Sequence, residues 1–421
     1  MNIHARTALR LAIGAAALAV GALGASAASA EEIRFWTLTF DNDAVGKAYQ
    51  NIIADFEKAN PGVTIKLEQR STDEHKAALR VAAGSDQAPD IFFSWGGLGL
   101  GGEFVKSGLA ADMTKYYDQY KWKDELLPAV VSFATQYPGG TYGIPLDFHG
   151  ETLYYNKALF AKAGITSPPT TWAELDADAD KLVSSGVAAI AFGGTVNWHV
   201  MRIMDAILET ECGADKHDQL MAMKLDWSKE DCATKSFQEF HTWTSKYFLK
   251  PFMGIDNNQS TNLFLQGRAA MVLEGDWFIG QLKTAGAKTD DYATFQIPTG
   301  TGRLYGFGEL SYISSKSKNP DTAAKFLDYL ASTPVQQANL GIFGATSVNK
   351  NVKYENIDAL TKQVQDIFNS SKGLYVNGDQ AFPLTETTEY WRIINAVASD
   401  SLDPAQAAGQ MQTFIAAHPA G

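Results

Sequence analysis

Nine tryptophans are the first chemistry visible in this chain of 421 residues. Several lie among glycines and polar residues instead of on periodic apolar faces, which suits a surface that receives flat apolar faces. Glu274, Asp276 and Glu309 are of the residue type glycosidases use, where two acids must flank one bond. Acids of this kind equally accept hydrogen bonds from sugar hydroxyls. Gly97-x-Gly99-x-x-Gly102 has dinucleotide-binding spacing. The stretch after it, Gly101 to Ser107, is short for the helix required, and no suitable acid ends a following strand, so it reads as a glycine turn behind Trp95. Walker A and Gly-x-Ser-x-Gly patterns do not occur, and the seven His do not pair at metal-ligand spacing. Neither a metal nor a cofactor is called for.

The composition narrows the class. A chain with 45% apolar and 19% charged residues folds. A net charge of −12, with no long like-charge block, argues against nucleic acid as a partner. Arg6 and Arg10, the apolar run Leu11 to Leu23, and Ala28-Ser29-Ala30 make a secretory signal with cleavage after Ala30. The run is shorter than the ~20 residues a membrane span needs. No Arg-Arg pair marks the twin-arginine route, and no Cys at the cleavage site marks a lipid anchor. The expected location is the periplasm.

In that oxidising compartment Cys212 and Cys232, the only cysteines, are expected to form one disulfide across a polar, loop-like segment. A metal site with His217 is the rival reading, and the ligand spacing does not support it.

Strands and helices alternate. Ile33 to Leu38 reads as a buried strand. Val45, Tyr49, Ile52, Ile53 and Phe56 form one helical face, stopped by Asn60-Pro61-Gly62. Val63 to Glu68 alternates as a strand does, a helix runs from about Glu74 to Ala83, and Asp90 to Trp95 is a further strand. Thr171 caps a helix from Trp172 to Val183, and Asn319-Pro320-Asp321 and Asp403-Pro404 open later ones. Such alternation predicts an α/β fold with a mostly parallel sheet, whose ligands bind beyond the C-terminal strand ends. Trp36, Asp41, Arg70 and Trp95 lie at or just past such ends.

Several segments resemble the extracellular solute-binding proteins of family 1, the maltose-binding-protein relatives that feed ABC importers. They include Phe56-Glu57-Lys58-Ala59-Asn60-Pro61-Gly62-Val63, Tyr142-Gly143-Ile144-Pro145 and Leu153-Tyr154-Tyr155-Asn156-Lys157. Pro168-Pro169-Thr170-Thr171-Trp172-Ala173-Glu174-Leu175, Gly267-Arg268-Ala269-Ala270-Met271 and Gly275-Asp276-Trp277 continue the pattern in the family's order.

The resemblance implies a two-lobed periplasmic-binding-protein fold of type II. Each lobe would be a mainly parallel sheet flanked by helices, with a multi-crossing hinge between them. Residues 31–143 and 298–345 would form the N-terminal lobe, and 144–297 and 346–421 the C-terminal lobe. It further implies a monomer that captures a sugar, a di- or oligosaccharide, between closing lobes. ABC permease subunits in the membrane would receive it, and the protein itself would perform no chemistry. The alternatives are an exported carbohydrate-active enzyme and a binder of a polyol or other solute.

By the same resemblance Trp36, Asp41, Trp95, Trp198, Trp277 and Trp391 fall where relatives contact sugar. Arg70, Asp147, His149 and Glu309 are the implied hydroxyl partners. Trp122, Trp172, Trp227 and Trp243 are expected to be packing residues.

Overall fold

The computed structural model describes residues 31–40, 43–340, 342 and 346–418. The signal sequence, with its cleavage site, and Asp41 lie outside the described residues. Nine strands form one sheet. They are β1 (Glu31–Leu38), β2 (Val63–Arg70), β3 (Ile91–Trp95), β4 (Ile144–Asn156), β5 (Ala188–Ala191), β6 (Ala269–Gly275), β7 (Tyr292–Phe295), β8 (Leu304–Ile313) and β9 (Leu374–Tyr375). The order is β2-β1-β3-β8-β4-β6-β5, with β7 on β4 and β9 on β8.

Parallel pairs form where a helix returns the chain. The Asp43–Ala59 helix joins β1 to β2 and the Thr72–Ala83 helix leads to β3. The first helix buries Tyr49, Ile52 and Phe56, three of its five predicted facing residues. It stops where the Asn60 side chain bonds the Phe56 carbonyl (2.8 Å) and Gly62 takes φ 94°. The centre of the sheet departs from a mainly parallel arrangement. β8 runs antiparallel to both β3 and β4, and β4 antiparallel to β6. The cause is the length of β4 and β8, which traverse the molecule in opposite directions.

Those two strands join two hydrophobic cores. The first includes Ile33, Phe35, Phe56, Leu146, Phe148, Leu310 and Leu327. The second includes Leu153, Trp172, Ile190, Met204, Trp243, Tyr305, Tyr390 and Met411. The changeovers therefore lie between Phe148 and Leu153 on β4, and between Tyr305 and Leu310 on β8. Val348 also packs in the first core.

Trp122, Trp172, Trp227 and Trp243 are buried, and each indole nitrogen finds an acceptor. Cys212 and Cys232 are joined by a disulfide. It ties the Asn197–Met221 helix to the Asp231–Lys246 helix. Residues 213–218, expected as a loop, continue the first of these helices beyond a break at Gly213 (φ 69°). Tertiary partners hold them: Arg303 bonds Glu209 (2.7 Å) and Asp218 (2.8 Å), and His217 is buried.

Candidate ligand-binding cleft

A cavity of about 560 Å³ lies between the two cores, within the range of small-molecule sites. The first core contributes the ends of β1 and β3 with Lys76. The second contributes Trp198 and Arg202, the residues ending and following β6, and residues 377, 379 and 380. His149 on β4, with Phe307 and Glu309 on β8, comes from the changeover stretches themselves, and Asp147 lies just before the one on β4.

Three half-buried aromatic planes face this space: Trp95 after β3, Trp198 in the first turn of its helix, and Trp277 after β6. The Arg202 guanidinium lies 4.7 Å from the Trp198 ring centre and 5.3 Å from that of Trp277. Lys76 Nζ stands 4.8 Å from the Trp95 ring, and His149 meets Trp277 edge-to-face at 5.2 Å.

Arg202 is held on both sides. Its Nε lies 3.0 Å from Glu151 on β4, and its guanidinium donates to Glu274 on β6 at 2.9 Å. Glu274 also meets His199 at 3.2 Å. Burial opposes the Glu274 charge, but Arg202 and His199 outweigh it and hold its pKa down at about 2. For Glu151 burial dominates and lifts the pKa to about 7 against the pull of Arg202.

A second cluster centres on His149. Its Nδ1 is 2.7 Å from Asp276 and its Nε2 3.6 Å from Glu309. Burial disfavours the imidazolium, yet the two carboxylates raise its pKa well above the ordinary histidine value. Burial lifts Asp147 to about 8; His149 opposes this, while Glu309 and Asp276 add to it. The cleft thus joins flat apolar faces to carboxylates, amides and fixed cations, an arrangement that can stack a ring and bond its substituents.

Residues 41–337 match the family described as bacterial extracellular solute-binding protein. The chain belongs to that family. An uncharacterized ABC transporter extracellular-binding protein of Pyrococcus horikoshii is 24% identical over 81% of this chain and 76% of its own. The multiple sugar-binding protein of Streptococcus mutans is 22% identical over 82% of this chain and 83% of its own. Among solved structures, a chitin oligosaccharide binding protein superposes with a TM-score of 0.83 at 21% identity, over 93% of this chain and 99% of its own. The fold is the two-lobed type II solute-binding fold, with the α/β alternation read from the sequence.

In this solute-binding protein Trp95, Asp147, His149, Trp198, Trp277 and Glu309 line one cavity. Trp36 does not. Successive residues of β1 face opposite sides, so Phe35 and Thr37 border the cavity while Trp36 turns to the other side, buried in the first core beside a separate pocket that it lines with Ala78, Val81 and Ala82. Arg70 goes with it, its guanidinium 3.9 Å from the Trp36 ring and 3.3 Å from Glu68. Trp391 also falls outside: on the Leu384–Ala398 helix it turns to the second core, its indole N–H 3.1 Å from the Met201 sulfur.

Sequence reasoning missed Lys76, Arg202, Asn377, Asp379 and Gln380. It saw Glu274 and Asp276 both as possible catalytic acids and as acceptors for sugar hydroxyls, without placing them at the site. One signal was available: Trp198 and Arg202 stand four apart on a helix and share a face. Nothing local marks residues 377–380. The Gly97-x-Gly99 turn approaches them from the first core. A Cβ on Gly97 would stand 2.3 Å from the Gln380 carbonyl oxygen, and one on Gly99 2.1 Å from that of Phe382.

Proposed function

We propose that this protein is the exported sugar-capturing component of an ABC importer. It binds a di- or oligosaccharide between its lobes and delivers it to permease subunits in the membrane. The observation that carries the reading is the cavity between the cores, with Trp95, Trp198 and Trp277 around charged and amide side chains. Pyranose rings present apolar C–H edges that aromatic faces accommodate, and hydroxyls that need polar partners. The names of similar proteins, a multiple sugar-binding protein and a chitin oligosaccharide binding protein, support the same class.

The lobes close about β4 and β8, which carry Asp147, His149, Phe307 and Glu309 into the cleft. A ligand that touches these strands and both lobes favours the closed form through its differential affinity. The protein acts as a monomer, is cleaved after Ala30 and performs no chemistry.

A thermal-shift panel of neutral mono-, di- and oligosaccharides, with glycerol phosphate as control, tests this. A ligand at a hundred times its Kd adds about 2.7 kcal/mol of stability. A melt moved by glycerol phosphate and by no saccharide would overturn the sugar reading, and cleavage of an oligosaccharide would overturn the binding-only reading.

A further inference from the structure

Three side-chain oxygens bordering the cavity have no hydrogen-bond donor among the described residues: Asn377 Oδ1, Asp379 Oδ1 and Gln380 Oε1. The residues that carry them are 6%, 6% and 2% exposed. Buried acceptors are normally paired, because an unpaired one forfeits its hydration without return. Three in succession at one cavity wall need a reason.

The backbone here cannot shift to pair them. Asp205, fully buried, accepts from the Gly378 N–H (2.8 Å) and from the hydroxyls of Tyr305 (2.7 Å) and Tyr390 (2.9 Å). The Asn377 amide donates to Glu151 (3.1 Å), which fixes which end of that side chain is left over. From the first core, the Gly99 N–H meets the Gln380 carbonyl at 3.4 Å, where only glycine leaves room. The turn is therefore clamped from both lobes with its acceptors at the cavity.

We propose that Asn377, Asp379 and Gln380 form the part of the cleft that reads the ligand, by accepting hydrogen bonds from the hydroxyls of an uncharged saccharide. The proposal rests on the sugar reading above and names the groups within it.

The test pairs two readouts on the full protein, using Asp379→Asn and Gln380→Leu. Affinity for the saccharide that stabilises the wild type should fall by about ten-fold or more in each, the scale of losing a buried hydrogen bond. The melting temperature without ligand should stay level or rise in Gln380→Leu, since that change removes an unpaired buried acceptor. Affinity unchanged in both variants would overturn the proposal. So would lower unliganded melting temperatures in both, which would make these residues packing elements. The unliganded melts decide the placement without any ligand, so a panel with no binding saccharide sinks the sugar reading separately.

Discussion

Asp147 and Glu309 stand opposite one another on antiparallel β4 and β8, beside the stretch where both strands pass from one hydrophobic core to the other. Like charges directly across a ladder repel. His149, two residues along β4, lies 3.6 Å from Glu309 and 2.7 Å from Asp276, and offsets part of that repulsion. The junction between the lobes and the charged end of the cleft are thus one structure.

The pairing gives a pH dependence with a definite sign. The Asp147 pKa is raised from 3.8 to about 8, chiefly by burial, and that of His149 is raised above 6.5. Both groups hold their protons more tightly in the folded state. Their contribution to stability is present at low pH and is lost as pH rises, for Asp147 through about 8. The wild-type melting temperature should therefore fall between pH 5 and pH 8.5, and Asp147→Asn should flatten that fall. An unchanged slope in the variant would show that Asp147 takes no part.

Trp277 and Trp391 separate cleft from core. Trp277→Ala should weaken saccharide binding by about ten-fold, a loss of ~1.4 kcal/mol. Trp391→Ala should leave affinity within about two-fold and lower the melting temperature, because its ring packs on the second core. Calorimetric titration with denaturation curves distinguishes the two, and the reverse pattern would reassign them.

Gly99→Ala probes the approach of the two lobes. The added methyl would overlap the Phe382 carbonyl at 2.1 Å, a contact of backbone with backbone that no side-chain rotation relieves. The variant should stay folded, adopt a larger radius of gyration in solution scattering, and bind ligand more weakly. A radius equal to that of the wild type would show that the contact does not govern closure.

Much of the architecture is legible locally. The helix face of Tyr49, Ile52 and Phe56, its stop at Asn60-Pro61-Gly62 and the Thr171 cap (3.2 Å to the Glu174 N–H) follow from spacing and residue type. The four packing tryptophans are likewise where the sequence puts them. The misplacements share a cause: for Trp36 and Trp391 the sequence supplies the element and its neighbourhood, while one step along a strand or helix decides which side the ring faces.

By itself the sequence determined the fold class, the family and the aromatic character of the candidate site, since these rest on periodicity, punctuation and residue type. The tertiary structure alone decided which tryptophans meet, that Arg202 lies against both Trp198 and Trp277, and that Asn377, Asp379 and Gln380 share a wall with residues nearly three hundred positions earlier. The physical reason is that a ligand site is defined by what is left unpaired when distant elements close on one another. Burial and missing donors become properties of a residue only once the chain is folded.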